Sequence, residues 1–306
     1  MKAVPFENLI ALFRKHYPDI IKEGPTEFSG SCDRKVGQFE KHKNSIGFLA
    51  GYSCTGATDM CLDACYTQRG ASAWPNTEKV KARNTWVLMQ HILDGDYHGL
   101  VAKMQAVVSY SVDQHTKKVK NLTKRMDRTE EESKLLRSLI KRGPIFRWQW
   151  SGDLLHSLQA QAVAAISNNM PEVSFWIYTR SFHLLEDLES KGENLTVWLS
   201  ADEENMASAA RYSLIFPWTK IADMDERGEI AKEDKGPGDQ SLICPELREV
   251  NPIPLNQACA SCGICFAAKS QVLTFPLSTS SAFKKPLKPE LMEVFTQTRE
   301  THELTP

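Results

Sequence analysis

The chain has 306 residues, 42% hydrophobic and 25% charged, and its 37 basic and 38 acidic side chains leave a formal net charge of −1. That length holds one large α/β domain or two ordinary ones, with enough apolar side chains for a true core. The balanced charge excludes a global basic field for nucleic acid or anionic lipid, while a local basic groove stays open.

The first ten residues, Met1 to Ile10, carry neither the apolar region nor the small-residue cleavage site of a signal peptide. No run approaches the ~20 apolar residues of a membrane helix. We therefore expect a cytoplasmic protein that is not membrane-bound and whose thiols stay reduced. Residues 1–44 read as a polar N-terminal extension with a short amphipathic helix from Phe6 to His16, broken by Pro18 and Gly24-Pro25. Ile46 to Ala50 reads as a buried strand. Apolar residues recur at helical spacing from Thr77 to Leu93, and a second helix covers Leu100 to Tyr110. The charged stretch Lys117 to Lys141 reads as a solvated helix face and its connector.

Strand and helix then alternate. Ile145 to Trp150, Val173 to Tyr178 and Leu195 to Leu199 read as strands, followed by helices over Leu154 to Ile166, Phe182 to Glu189 and Asp202 to Arg211. Tyr212 to Phe216 reads as a further strand, Asp223 to Gln240 as a surface loop, and Gln271 to Phe275 as the last strand. Residues 276–306 form a polar C-terminal tail, with one short helix near Leu291 to Phe295. This alternation predicts parallel βαβ units across a core of residues 45–275. It suits a partial (β/α)6 TIM-like barrel of mostly parallel strands, or an open doubly wound sheet, with a cysteine-rich region at 241–268. In both architectures the site is built from polar residues at the C-terminal ends of the strands. Here those residues are a cysteine loop after the first strand, Ser151-Gly152-Asp153, Thr179-Arg180-Ser181 and Ser200-Ala201-Asp202.

Seven of the eight cysteines fall into two groups: Cys54, Cys61 and Cys65, then Cys244, Cys259, Cys262 and Cys265. Thiolates are soft ligands suited to iron–sulfur clusters and zinc. Three ligands leave one iron of a [4Fe–4S] cluster open to a substrate, and four close a cluster. Zinc with a fourth ligand such as Cys32 competes at the triad, and zinc also competes with a second [4Fe–4S] cluster at the tetrad. Asp153 is placed either to bind an amine or to cap a helix. Arg180 suits a carboxylate or phosphate, or a salt bridge at the rim. Ser200 and Asp202 suit a ribose or a helix cap. The tryptophans of the strands read as core. No phosphate loop, dinucleotide fingerprint, nucleophile elbow or H-E-x-x-H pair is present.

Four segments in this order resemble the radical S-adenosylmethionine (SAM) superfamily, and closer still iron–sulfur proteins common in bacteriophages. They are Cys61-Leu62-Asp63-Ala64-Cys65-Tyr66, Trp150-Ser151-Gly152-Asp153, Tyr178-Thr179-Arg180 and Cys259-Ala260-Ser261-Cys262-Gly263-Ile264-Cys265. The triad spacing, C-x6-C-x3-C, is wider than the superfamily's usual C-x3-C-x2-C, and its aromatic residue follows the last cysteine. The resemblance implies that Cys54, Cys61 and Cys65 hold a [4Fe–4S] cluster whose open iron chelates SAM. Ser151-Gly152-Asp153 would take the place of a Gly-Gly-Glu-like segment that holds the SAM amino group, with Ser200 and Asp202 near the ribose. It further implies one-electron cleavage of SAM to a 5′-deoxyadenosyl radical, an external electron donor, and an auxiliary cluster at the tetrad. The phage association points to a nucleotide or DNA-linked substrate, for instance isomerisation of an aminoacylated thymine. The rival expectation is a non-catalytic iron–sulfur or zinc protein that binds nucleic acid or a protein partner.

Overall fold

The structure is a computed structural model, and it describes residues 6–32, 36–63, 65, 67, 70–225, 241–244, 258–267, 272–276 and 293–294. Two short helices open it, α1 (Phe6–His16) and α2 (Pro18–Glu23). α1 buries Leu9, Ile10, Leu12 and Phe13 in the main core, so the N-terminal extension is part of the folded body. Pro18 starts α2 instead of ending the ordered chain, because proline's missing N–H costs nothing in a first helical turn.

α3 (Asp59–Asp63) and α4 (Pro75–Leu93) follow the first cysteine loop, then α5 (Tyr97–Lys124) and α6 (Glu130–Arg142). The expected helix from Leu100 to Tyr110 is the first part of α5, which continues through the charged stretch. α6 opens with a capping box between Thr129 and Glu132 and buries only Leu139, as a solvated helix does.

The strands are β1 (Ile145–Trp148), β2 (Ser174–Thr179), β3 (Leu195–Ala201), β4 (Thr219–Asp225), β5 (Ser241–Ile243) and β6 (Val272–Pro276). They form one six-stranded parallel sheet in the order β1-β2-β3-β4-β6-β5. The sheet is open, and the α/β class with parallel strands agrees with the sequence. α7 (Ser157–Asn169) connects β1 to β2, α8 (Met206–Ile215) connects β3 to β4, and α9 (Ala258–Cys262) lies between β5 and β6.

Three expected elements differ. Tyr212 to Phe216 is not a strand, because Tyr212 to Ile215 is the end of α8 and the fourth strand starts at Thr219. A short apolar run does not distinguish strand from helix by periodicity, and here Leu214 and Ile215 are exposed. Phe182 to Glu189 holds two 3-10 turns, Phe182–Leu184 and Glu186–Leu188, in place of an α-helix. Ile46 to Ala50 is buried but is not a regular strand. It runs beside β1 in the parallel sense through a single bridge, Ser45 to Arg147. The loop expected at 223–240 and the tail at 276–306 lie largely outside the described residues.

The two sheet faces have different company. Phe146, Trp148, Phe175, Ile177, Leu195, Val197 and Leu199 pack into the main core with residues of α1, α4, α5 and α7. On the opposite face Trp176 and Tyr178 pack with Ala260, Cys259 and Cys265, and Trp198, Ala222 and Leu273 with Cys244 and Ile264. The cysteine-rich region thus lies against the sheet face that the main core does not use. Among the described residues, no helix is long and apolar enough to cross a membrane.

Candidate functional site

All strands are parallel, so the C-terminal ends of β1, β2 and β3 lie at one edge, and the triad loop joins them there. Tight turns shape that loop, with Cys54 N–H donating to the Gly51 carbonyl and Ala57 N–H to the Cys54 carbonyl, both at 3.3 Å. Thr58 then begins α3, its hydroxyl accepting from the Cys61 N–H at 3.1 Å. The loop presses on the end of β2, since a Cβ on Gly56 would stand 2.0 Å from the Arg180 carbonyl oxygen. The Thr55 hydroxyl meets the Ser181 hydroxyl at 3.0 Å and donates to the Leu154 carbonyl at 3.2 Å.

Asp153 is the latch between loop and sheet. Its N–H donates to the Ser53 hydroxyl, 3.2 Å, next to Cys54. Its carboxylate accepts from the Thr179 hydroxyl (2.6 Å), the Arg180 N–H (2.7 Å) and the Leu154 N–H (2.7 Å). It caps no helix, since His156 caps α7 by accepting from the Leu158 N–H. Burial raises its pKa to about 6 despite those donors. Gly152 has φ +78, and a Cβ there would sit 2.2 Å from the Ser53 hydroxyl. The Ser151 hydroxyl donates to the Phe48 carbonyl at 2.8 Å.

Arg180 forms no rim salt bridge. It makes a buried ion pair with Asp202, donates to the Thr58 hydroxyl at 2.9 Å and reaches the Met224 sulfur at 3.0 Å. Asp202 also accepts from Thr58 and from the Glu204 N–H, and Glu204 in turn accepts from the N–H groups of Asp59 and Met60. β2, β3, β4 and the triad loop are thereby tied through one guanidinium. Ser200 lies close to Met224, 3.9 Å from hydroxyl to sulfur.

The triad thiols act on one another. Burial raises the Cys54 thiol well above its usual range, and the charges of Cys61, Asp153 and Cys65 push the same way. Burial lifts Cys61 to about 11, with Arg180 opposing and Cys65, Asp153 and Asp202 adding. Cys65 meets the Thr67 hydroxyl at 3.3 Å, and the buried Lys81 ammonium donates to the Thr67 carbonyl at 3.1 Å. Cys32 is exposed, whereas the other seven cysteines are partly buried.

The tetrad is a second group. The Tyr178 hydroxyl donates to the Cys265 sulfur at 2.8 Å, and the Trp198 ring N–H to the Cys265 carbonyl at 2.9 Å. Burial pushes the Cys265 thiol up to about 12; the Tyr178 bond opposes, while Cys244 and Cys262 reinforce. Tyr178 is itself raised by burial and then by Cys265, so its hydroxyl stays a neutral donor. Among the described residues no three His, Cys, Asp or Glu side chains converge on a position for a single metal ion.

The structure thus brings together Ser151, Gly152, Asp153, Arg180, Ser200, Asp202 and the triad loop. The sequence reading missed Ser53, Thr55, Thr58, Glu204 and Met224. Three of these are hydroxyl residues of the cysteine loop, where small polar side chains beside soft ligands were the available signal. The expected aromatic core is met, with Trp148, Trp176 and Trp198 all buried. A groove of about 570 Å³ lies elsewhere, between α5 and α7, and none of its lining residues belongs to these groups.

Comparison with known proteins finds relatives in phages. The Gene 88 protein of Mycobacterium phage D29 is 28% identical over 239 residues, 75% of this chain and 85% of the phage protein. The Gene 88 protein of Mycobacterium phage L5 is 28% identical over 238 residues, with the same coverage. No solved structure matches. The profile of Gene product 88 matches residues 26–268, a span that takes in the triad loop, the strand ends and the tetrad, and the chain therefore belongs to the Gene product 88 family.

Proposed function

We propose that this chain is a radical-SAM-type iron–sulfur enzyme acting on a nucleotide or DNA-linked group. The observation that carries the reading is the meeting of the triad thiols with Asp153, Arg180 and Asp202 at the C-terminal edge of a parallel sheet. We read the one-way winding from β1 to β4 as part of a partial (β/α) barrel, whose site lies at that edge. Cys54, Cys61 and Cys65 would hold a [4Fe–4S] cluster, and Cys244, Cys259, Cys262 and Cys265 a second one. When bound, the first supplies one-electron reductive cleavage of SAM to a 5′-deoxyadenosyl radical, with an external electron donor.

The residues around the thiols have definable work. Iron must displace the protons that burial holds on Cys54 and Cys61, so loading favours higher pH. Arg180 lowers the cost of negative charge on Cys61 and fixes the loop through Thr58. Asp153 holds the start of that loop through Ser53 and leaves little acceptor capacity for an amine, since three protein donors already meet it. The phage origin of the relatives supports a DNA-linked substrate, such as an aminoacylated thymine, in a host cell.

The saturation of Asp153 and Asp202 by protein donors favours a second reading, an iron–sulfur or zinc protein that binds nucleic acid or a partner without catalysis. One experiment separates the two. The protein is reconstituted anaerobically with iron and sulfide, then given dithionite and SAM, with and without modified phage DNA. Formation of 5′-deoxyadenosine that Cys61→Ala abolishes, with about half the iron retained, supports the enzyme. Bound iron beside intact SAM in both conditions supports the binder.

A further inference from the structure

Gln149 is a residue that the network at the mouth leaves aside. It follows β1 directly and has φ +51, a left-handed conformation that a residue with a Cβ rarely adopts. The neighbouring chain shows why. Asn44 accepts from the Arg147 N–H and Ile46 donates to the Arg147 carbonyl, a regular parallel step. The next acceptor, the Ile46 carbonyl, takes the N–H of Trp150, so the ladder skips Gln149. Gln149 is a bulge, and bulges beside sites serve to re-aim a side chain.

Its side chain is 3% exposed, and both ends of the carboxamide, Oε1 and Nε2, are buried without a hydrogen-bond partner among the described residues. Glycine would fit this backbone without strain, and leucine would fill the space without an unpaired dipole. The amide therefore runs against fold stability on two counts. The sheet shows what it stands near. Gln149 follows the last residue of β1, Trp148, which pairs with Ile177 near the end of β2. Tyr178 touches Cys265, and Arg180, two residues on, touches Thr58 of the triad loop. Gln149 thus leaves β1 at the sheet edge where β2 closes on Tyr178, Thr179 and Arg180.

We propose that the Gln149 carboxamide reads the edge of a nucleobase. A carboxamide offers one acceptor and one donor side by side, which is the complement of the donor–acceptor pair on a base edge. A phosphate or carboxylate would instead call for the forked donors of arginine. This rests on the reading of the mouth as a site for nucleotide material. The base belongs either to the substrate nucleotide or to the adenosine of SAM, and the probes separate these sources.

The test uses the full chain, reconstituted anaerobically, and Gln149→Leu. Calorimetric titration is made with the four deoxynucleoside 5′-monophosphates and with S-adenosylhomocysteine, and thermal unfolding is followed in parallel. The expected result is binding of at least one probe by the wild type and a loss of about tenfold or more in Gln149→Leu. The melting temperature of the variant stays equal or rises. Loss confined to a mononucleotide assigns the base to the substrate, and loss confined to S-adenosylhomocysteine assigns it to the cofactor. Should the leucine variant not fold, Gln149→Gly replaces it with the same readouts. A wild type that binds no probe, a variant that binds as the wild type does, or a folded variant with a lowered melting temperature overturns the proposal. Assaying 5′-deoxyadenosine on the same samples keeps the two readings apart. Gln149-dependent probe binding without SAM cleavage retains this assignment and sinks the radical enzyme, and SAM cleavage with unchanged binding in the variant does the reverse.

Discussion

Arg180 and Asp202 pair their charges inside the mouth of the sheet, with side chains only 5% and 0% exposed. The guanidinium also touches Thr58 and Met224, so a single side chain joins the cysteine loop to three strand ends. Removing one partner leaves the other charge buried and uncompensated. Arg180→Met should therefore lose about 3–5 kcal/mol of unfolding free energy in urea titration. Arg180→Met combined with Asp202→Leu should recover most of it, because no unpaired charge remains. If the double variant is as unstable as the single one, the pair is not what holds the mouth.

Gly152 should tolerate no side chain. Its φ of +78 alone costs an L-residue roughly 1–2 kcal/mol, and the added Cβ would overlap the Ser53 hydroxyl that receives the Asp153 N–H. Gly95 is the control, with φ +63 and nothing within 4 Å of an added Cβ. Gly95→Ala should show the backbone effect only. Gly152→Ala should melt lower still and bind less iron, since Ser53 neighbours Cys54. Equal melting temperatures for the two variants would show that Ser53 moves aside freely.

The strand ends were legible in the sequence because each strand closes on small polar residues, and parallel strands must bring those ends to one edge. Which of these residues meet was not legible. The pairing of Arg180 with Asp202 depends on β2 lying beside β3, and lateral order is not written in local periodicity. Amine binding and helix capping are both open to Asp153 in the sequence, and His156 takes the capping place. The bulge at Gln149 has no local signature, as it comes from the slipped ladder with residues 46–48, about 100 positions away in the chain. The sequence marks an amphipathic helix from Phe6 to His16 but not what it packs against, and only tertiary contact shows that Leu9, Ile10, Leu12 and Phe13 enter the core.

His42 should make the fold sensitive to acid. It is fully buried, its Nε2 meeting the Ser111 carbonyl at 3.1 Å and hydroxyl at 3.0 Å. Burial lowers its pKa to about 4 from the usual 6.5. The unfolded chain then binds the proton more tightly than the folded one. The stability contributed is complete above pH ~6.5 and is lost as pH falls toward 4. Asp153 acts in the opposite sense: its raised pKa makes acid favour the folded state as pH falls through 6. Comparing wild type with His42→Gln in urea at several pH values cancels Asp153. The expected difference is a wild-type slope steeper by up to about 1.4 kcal/mol per pH unit within that window. Parallel pH profiles would mean that His42 takes up its proton without unfolding the chain.

Tyr178 should tune the second cysteine group without touching the first. Its hydroxyl donates to the Cys265 sulfur at 2.8 Å, and burial keeps it protonated far above neutral pH. On the proposed reading Cys265 carries thiolate charge toward a cluster, and a hydrogen bond to that sulfur draws density away and raises the reduction potential. Tyr178→Phe removes the bond and retains the ring that packs beside Trp198. Redox titration followed by electron paramagnetic resonance, done in a Cys61→Ala background so that the tetrad is read alone, should show a lower potential and unchanged iron content. Lost iron would make Tyr178 part of the scaffold that assembles the site, and an unchanged potential would separate Cys265 from the cluster. The phenylalanine variant alone should still form 5′-deoxyadenosine with dithionite, because the triad and its Asp153–Arg180 support remain intact.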